Sequence, residues 1–571
     1  MMRPMQKSLW NTLKPPADQI NKIQKTTGLS FLASTLLANR NISSLKDLKS
    51  FLYPDIKKIT PPWEIKDIEK ACSRILKAII NNENILIYGD YDADGITSIA
   101  ILYKFLKPYV KNLFYFIPHR EKDGYGFKSK FVDSFKKKQV SLIITVDCGS
   151  SDKEAIDYAK SQGIDTIVTD HHQIPEIPEN AHSVVNPWRK DCSSGLTHLA
   201  GAGVAFYLLI QLRKTMRENN FFNKKKEPSL NSYLWLCAIG TIADVVPLIK
   251  ENRIFAKYGL DYLKTTNDKL PKLILQSWNL DKNSISSQDI AFYFAPRLNS
   301  AGRLSDAKIC VELFLSSDSN EIISICNNLD RLNEERKKQE NLIVEDIEKQ
   351  MTPKDLKNKI LLFISEKWAP GVLGTAASKI TRKYNRPSIL LSKKDSFVKG
   401  SARSIKNISI YDLIVSQNNY LENFGGHSQA AGLSLDFKNY NEFSKSLIDY
   451  SNKNILPASL TPVHQAEDVI TFDQLLPNFL KELDILEPFG QSNPYPLFIA
   501  KNLIIQSRTK IKEIHSRLEL FQPGCVNQNK MTGFIFNSKE NPPSHLNQVL
   551  IKAVEDRYTK NKFNLLIEAW E

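Results

Sequence analysis

The run Ile85-Leu86-Ile87-Tyr88-Gly89 passes without a break into Asp90-Tyr91-Asp92-Ala93-Asp94-Gly95, and this junction constrains the chain more than any other. The apolar run reads as a buried strand, and Gly95 permits a tight turn into the helical pattern Ile96–Leu106. Three carboxylates at alternate positions repel one another strongly unless a cation lies among them. A solvated acidic loop is the plainer alternative. Directly behind an apolar strand, a site for hard divalent cations is the better reading.

From Asn84 a regular alternation begins. Strand-like runs at Ile85–Tyr88, Leu113–Ile117, Leu142–Val146 and Thr166–Val168 are separated by helical patterns at Ile96–Leu106, Lys128–Lys138 and Lys153–Gln162. That order implies an α/β unit with a doubly wound, mainly parallel sheet, whose ligands bind beyond the carboxyl ends of the strands. The acids fall at those ends. Asp90, Asp92 and Asp94 follow the first run, Asp147 closes the third, and Asp170-His171-His172 closes the fourth. A single aspartate there would usually be a helix N-cap. Five aspartates and two histidines at three strand ends point to a shared metal site instead. Farther on, Ala238–Leu248 holds the single carboxylate Asp244 in a nearly apolar segment. Buried without a cation or strong donors, it would be costly.

The remaining motifs are weaker alone. Pro118–Gly126 carries Arg120 between a strand and two glycines, Pro296–Leu304 carries Arg297 and Arg303, and Gly400–Ser404 carries Ser401 and Arg403. Phe424-Gly425-Gly426-His427 is glycine-rich beside a histidine. Small residues flanking a cation let it close on an anion together with backbone N–H groups, although each could also be a plain turn. Ser319–Gln350 reads as a helix of about 48 Å, apolar at both ends and charged in the middle, hence a connector docked at its ends and solvated between. Ile360–Ile364 and Ser388–Leu391 read as strands of a second α/β unit. After Pro457, short alternating strands with Lys510, Lys512, His515 and Arg517 among them suggest a small β-barrel that binds nucleic acid.

Composition sets the outer bounds. Hydrophobic residues make up 42% of the 571 residues, enough for several packed cores. The net charge of +15 makes a polyanionic partner plausible, although Lys, Asn and Ile could also reflect an AT-rich genome. No apolar run is long enough for a membrane helix, Met1–Lys7 has no apolar segment for a signal peptide, and the seven scattered cysteines form no C-x-x-C. A cytoplasmic protein with no structural zinc and no membrane partner is expected.

In their order, these motifs resemble the DHH/DHHA1 phosphoesterases, named for the Asp-His-His seen at Asp170-His171-His172, and more narrowly the RecJ branch of single-strand-specific 5′→3′ DNA exonucleases. The resemblance implies an N-terminal helical segment (1–70), a DHH catalytic domain (71–317), a connector helix (318–352), a smaller α/β DHHA1 substrate-binding domain (353–455) and a C-terminal OB-like nucleic-acid-binding barrel (456–571). It implies two Mn2+ ions, with Mg2+ able to substitute. Asp92 and Asp147 would hold one; Asp94, Asp147, His171 and Asp244 would hold the other. Asp90 and Asp170 would support them, and His172 would face the phosphate. Arg303, Ser401 and Arg403 would grip a terminal 5′-phosphate, with Arg120 and His427 near the substrate. Three departures from the family pattern, Ala369 where His is frequent, Ser305 where Asp is frequent, and Gln491-Ser492 inside a usually glycine-rich turn, bear on substrate contacts and not on metal ligands.

The implied activity is two-metal hydrolysis of single-stranded DNA from its 5′ end to 5′-mononucleotides, in repair and recombination. The enzyme is expected to be a monomer, with a helicase and a single-strand-binding protein as candidate partners. The alternatives are a phosphodiesterase of the same fold acting on short oligonucleotides or cyclic dinucleotides, a pyrophosphatase, and a catalytically silent nucleic-acid scaffold.

Overall fold

Five parallel strands form the first sheet, in the spatial order Leu113–Phe116, Asn84–Gly89, Val140–Val146, Asp165–Thr169, Ser183–Val185. The strand that opens the unit therefore has the second on one side and the third on the other. Between the first and third strands the winding reverses, which opens a crevice at their carboxyl ends. This arrangement is seen in a computed structural model that describes residues 8–174, 176–223, 226–512, 514–526, 530–536, 541–556 and 562–571. Met1–Lys7, read above for a leader, lies outside the described residues.

The period of two sorts side chains between two cores. Ile85 and Ile87 join one with the helices Ala93–Leu106, Gly201–Glu218 and Leu234–Ala243; Leu86 and Tyr88 join the other with Val132, Phe135 and Ile156. Burial on both faces is why the strand reads as an unbroken apolar run. The expected helix Lys128–Lys138 is a short 3-10 turn followed by Val132–Lys137.

The helix Ser319–Gln350 leads into a second five-stranded sheet, ordered Asn423–His427, Ala430–Asp436, Phe397–Arg403, Ser388–Lys394, Leu361–Ser365. Only the last pair is parallel. The connector differs from its expected form. Its middle is not free on all sides, because Asn333 and Glu340 are buried. Arg336 joins Glu340 at 2.9 Å and Asn333 at 3.0 Å, and Lys379 of the helix Pro370–Tyr384 reaches Glu340 at 2.8 Å. The charged centre thus includes a polar stripe facing the second unit.

At the C-terminus Phe498–Ile511, His515–Phe521, Lys530–Ile535, Phe563–Trp570 and His545–Glu555 follow one another around a closed barrel, the last strand pairing again with the first. Residues 8–52 do not stand apart as a helical segment. Leu9–Thr12 is a strand parallel to Val463–Ala466, and Ile20, Ile23, Leu32, Leu36 and Leu48 share a core with Phe472, Phe479 and the barrel. Arg40 and Glu467 form an ion pair at 3.0 Å, both largely buried, which ties the N-terminal helices to the segment that leads into the barrel. No helix among the described residues is long and apolar enough to cross a membrane. All seven cysteines are free.

Candidate active site and metal centre

The reversal point collects the acids. Asp90, Asp92 and Asp94 leave the first strand, and Asp147 leaves the third with a backbone φ of 59°. A non-glycine residue is held in that left-handed region only when its surroundings dictate it. Here the Asp147 N–H donates to the Thr169 carbonyl at 3.0 Å, and the Thr145 hydroxyl donates to the Cys148 carbonyl at 2.9 Å. The turn aims the Asp147 carboxylate into the crevice.

Each acid has a distinct setting. Asp92 caps the helix Ala93–Leu106, accepting from the N–H groups of Asp94 at 2.9 Å and Gly95 at 3.1 Å with one oxygen only. Asp94 accepts from the first amides of the helix Gly201–Glu218, Gly201 at 2.6 Å and Ala202 at 2.9 Å. The approach requires glycine at two places. A Cβ at Gly201 would lie 2.8 Å from the Asp147 side chain, and one at Gly240 would lie 2.5 Å from Asp94 Oδ1. Asp170 is saturated, accepting from the N–H groups of Ser150, His171 and His172 and from His172 Nδ1 at 2.8 Å. It holds the two histidines in place.

His171 donates from Nδ1 to the Leu199 carbonyl at 3.0 Å, leaving Nε2 as the ligand nitrogen. That Nε2 lies 3.1 Å from Asp147, 3.6 Å from Asp244 and 3.8 Å from Asp94. Burial, with His172 charged beside it, pushes His171 down to about 4, so the ring is neutral and can ligate. In His172 burial is outweighed by the hydrogen bond and charge of Asp170, and its pKa rises to about 9. The same bond holds Asp170 below the usual carboxylate range despite its burial. Asp90, Asp94, Asp147 and Asp244 go the other way. Burial first, and neighbouring aspartate charges second, push all four up, Asp94 to about 7.

Such a group of acids costs stability unless something neutralises it. Asp90 Oδ1, Asp147 Oδ1 and His171 Nε2 are buried with no hydrogen-bond partner. Ligand atoms of Asp90, Asp92 and Asp147 lie within 4.8 Å of one another, as do those of Asp94, His171 and Asp244, and of Asp147, His171 and His172. The residues fit divalent ions, and oxygen with imidazole suits Mn2+ or Mg2+. Asp90, expected in a supporting place, brings an oxygen into the first of these groups.

The cationic residues gather at the Asp90–Asp92 end. Arg120 lies over the Tyr91 ring at 4.9 Å. Arg303 donates to the Gly371 carbonyl at 3.2 Å, at the start of the helix Pro370–Tyr384. Arg403 donates to Ser401 Oγ at 3.2 Å, and a Cβ at Gly374 would lie 2.7 Å from its guanidinium. Burial, then Arg120, Arg403 and Arg336, push Arg303 down to about 9, and burial and Arg120 lower Arg403. Guanidinium groups crowded at a helix N-terminus call for an anion. His427 sits on the exposed edge strand of the second unit and borders a cavity next to His171 and His172. Of the departures, Ala369 precedes that same helix without capping it, Ser305 ends the helix Ala295–Leu304, and the Gln491 carbonyl accepts from Leu248 N–H. Sequence reading missed the amides of Gly201 and Ala202, the Tyr125 hydroxyl on the Asp147 carbonyl, Asn299 on the Ala93 N–H, and Arg336. The small-residue run Ala200–Gly203 at a helix start was the one available signal.

A metal-binding hydrolytic centre at the switch point of a parallel sheet, roofed by a second α/β unit, defines a phosphoesterase of the DHH class. Residues 84–241 match the DHH family, N-terminal domain, residues 356–453 the DHHA1 domain, and residues 467–567 the RecJ OB domain. The single-stranded-DNA-specific exonuclease RecJ of Escherichia coli is 33% identical over 497 residues, covering 84% of each chain. That of Bacillus subtilis is 32% identical over 92% of this chain, which spans 66% of its length. RecJ from Thermus thermophilus in complex with Mn2+ superposes with a TM-score of 0.82 at 26% identity, covering 99% of this chain and 79% of that one; its complex with Mg2+ gives 0.76. The chain belongs to the RecJ family of single-stranded-DNA-specific exonucleases.

Proposed function

We propose that this chain hydrolyses single-stranded DNA from its 5′ end to 5′-mononucleotides, as a metal-dependent exonuclease of DNA repair and recombination. The observation that carries the reading is the convergence of three partnerless buried ligand atoms, on Asp90, Asp147 and His171, next to a cluster of arginines.

Asp92 and Asp147, joined by Asp90, would hold one ion, and Asp94, Asp147, His171 and Asp244 the second. Bound there, divalent ions lower the pKa of water and neutralise charge on the attacking and leaving oxygens. The protein's own groups supply position. Arg303, Arg403 and Ser401 hold the terminal 5′-phosphate at the Asp92 end, so the reacting phosphate is the one joining the first two nucleotides. His172, charged at neutral pH, offers Nε2 to that phosphate while Asp170 holds its Nδ1, and Arg120 and His427 flank the strand. The 3′-oxygen of the first nucleotide leaves. The barrel, with exposed Lys510, Lys512 and Arg517 and the stacked pair Phe534–Phe536, would carry the downstream strand. In this reading the chain divides near residues 70, 317, 352 and 455. It works as a cytoplasmic monomer, with a helicase and a single-strand-binding protein as partners.

Hydrolysis in Mn2+ of a long 5′-labelled single strand, the matching duplex, a dinucleotide and pyrophosphate tests this. Label released as mononucleotide from the single strand is expected; preference for the dinucleotide would replace the reading. Arg403→Ala should lower kcat/KM on a 5′-phosphorylated strand by about 10- to 100-fold, the value of a charge-assisted contact, and much less on a 5′-hydroxyl strand. Equal losses on both would remove Arg403 from the phosphate grip.

A further inference from the structure

At the end of the acidic cluster away from Arg303, a cavity of about 430 Å³ is lined by His172, Trp188, Leu199, Val246, Pro247 and His427, among others. Its size is in the range of small-ligand sites. Nothing in the reaction described above uses Trp188, yet this indole is 39% exposed in the cleft. Its position is built. The Trp188 backbone N–H donates to Asn186 Oδ1 at 2.9 Å, and the fully buried Asn186 donates from Nδ2 to Ser150 Oγ at 2.7 Å and to the His172 carbonyl at 2.9 Å. The tryptophan is thus referenced to the loop that carries both site histidines. The wall at Val246-Pro247 is equally fixed, since Asn252 Nδ2 donates to the Pro247 carbonyl at 3.0 Å and His198 pairs with Glu251 at 2.8 Å. His427 brings in the second unit.

The order of groups along the cleft gives direction. The arginines stand by Asp92 and Tyr91, the metal-ligand atoms come next, and the cavity lies beyond His171. A strand whose terminal phosphate sits at the arginines passes its first internucleotide phosphate across the acids and leaves toward Trp188. We infer that this cavity receives a nucleobase from the 3′ side of the scissile bond, stacked on the Trp188 indole; the inference rests on the exonuclease reading. Every base offers a π-face, so such a platform holds the strand without selecting its sequence.

Binding of 5′-phosphorylated oligonucleotides carrying one abasic unit at successive positions, measured by competition in EDTA so that nothing is cleaved, tests the site. In the unaltered protein, one abasic position downstream of the first nucleotide should weaken binding about tenfold, within the range for loss of one stacked base. Trp188→Ala should weaken the intact strand by a similar factor and abolish that position's penalty, and Trp188→Phe should restore most of both. The scan of the unaltered protein stands whether or not the alanine variant folds. Tight binding indifferent to every abasic position, or a penalty that survives in Trp188→Ala, would overturn the base site alone. Absence of any strand binding would overturn it together with the exonuclease reading.

Discussion

Asp147→Asn should lower kcat in Mn2+ by about a thousandfold or more, while leaving the metal-free protein more stable than its parent at neutral pH. The activity loss follows from position. Asp147 belongs to two of the three candidate ligand groups, and a held divalent ion contributes several kcal/mol of charge stabilisation at the reacting oxygens, so about a thousandfold is a lower figure. The stability gain follows from the pKa shifts. Burial, followed by the charges of Asp94, Asp92, Asp244 and Asp90, pushes Asp147 well above the carboxylate range, and Asp94 rises to about 7 for like reasons. In the unfolded chain these groups titrate near 3.9. As pH rises from about 4 through about 7, the unfolded state loses protons that the folded state retains, so metal-free stability falls across that window. An asparagine at 147 carries no proton to lose and relieves its neighbours, so the variant's stability declines less steeply. Added Mn2+ should raise the melting temperature of the parent strongly and that of the variant little. Melting curves in EDTA and in Mn2+ from about pH 4 to pH 8 check both arms. A variant that melts lower than the parent at every pH without metal would make Asp147 a structural group and sink the assignment.

How much of this was legible follows from how each residue signals itself. The catalytic sheet was readable from Asn84–Gly89, Val140–Val146 and Asp165–Thr169, which are buried on both faces and announce themselves as apolar runs closed by an acid, whereas the three-residue strand Ser183–Val185 is too short to show a pattern. The three antiparallel strands of the second unit were not. Phe397–Arg403 does alternate, but its inward positions after Val398 are Gly400 and Ala402, too small to mark an apolar face, and Asn423–His427, with Gly425 and Gly426, is exposed along its length and shows no period of two. Those segments read as anion-binding turns when they are strands whose ends point at a site. The extent of the connector helix was plain from its periodic apolar ends, but its covered polar face was hidden, since Asn333, Arg336 and Glu340 look solvated in any local reading. Asp92 shows why the choice between cap and ligand could not be settled locally: one of its oxygens caps a helix and the other is left for a cation. Contacts made by the backbone left almost no trace. Gly201 and Ala202 hold Asp94 from more than a hundred residues away, with N–H groups that every sequence has.

The junction between catalytic unit and barrel rests on Arg253, and Arg253→Ala should destabilise it by about 3–5 kcal/mol, the cost of emptying a buried, fully used polar site. Arg253 is 2% exposed on the helix Lys250–Thr265. Its guanidinium donates to the carbonyls of Phe51 at 2.9 Å, Leu486 at 3.0 Å, Glu487 at 3.0 Å, Pro488 at 3.3 Å and Ile485 at 3.5 Å, and lies 3.6 Å from the Phe51 ring centroid. Several of those carbonyls end the helix Pro477–Leu486, where a cation complements the dipole and satisfies oxygens that the helix cannot. Burial pushes the guanidinium down to about 9, with Glu487 opposing, so at neutral pH it keeps its charge and all its donors. Alanine would take a donor from five carbonyls at once, of which, among the described residues, only Leu486 and Pro488 keep a second one, the Asn493 side-chain amide. Arg253→Lys keeps the charge but has no planar fork to span them, and should recover only part of the loss. Hydrogen exchange at 485–490 and around Phe51 should rise sharply in Arg253→Ala while the catalytic sheet stays protected, because the clamp joins units that have cores of their own. Function should divide the same way, with weaker binding of strands long enough to reach the barrel and much smaller changes for substrates of a few nucleotides. Uniform exchange across the whole chain, or equal losses on short and long strands, would mean that Arg253 supports the catalytic fold itself and not the link that delivers a strand to it.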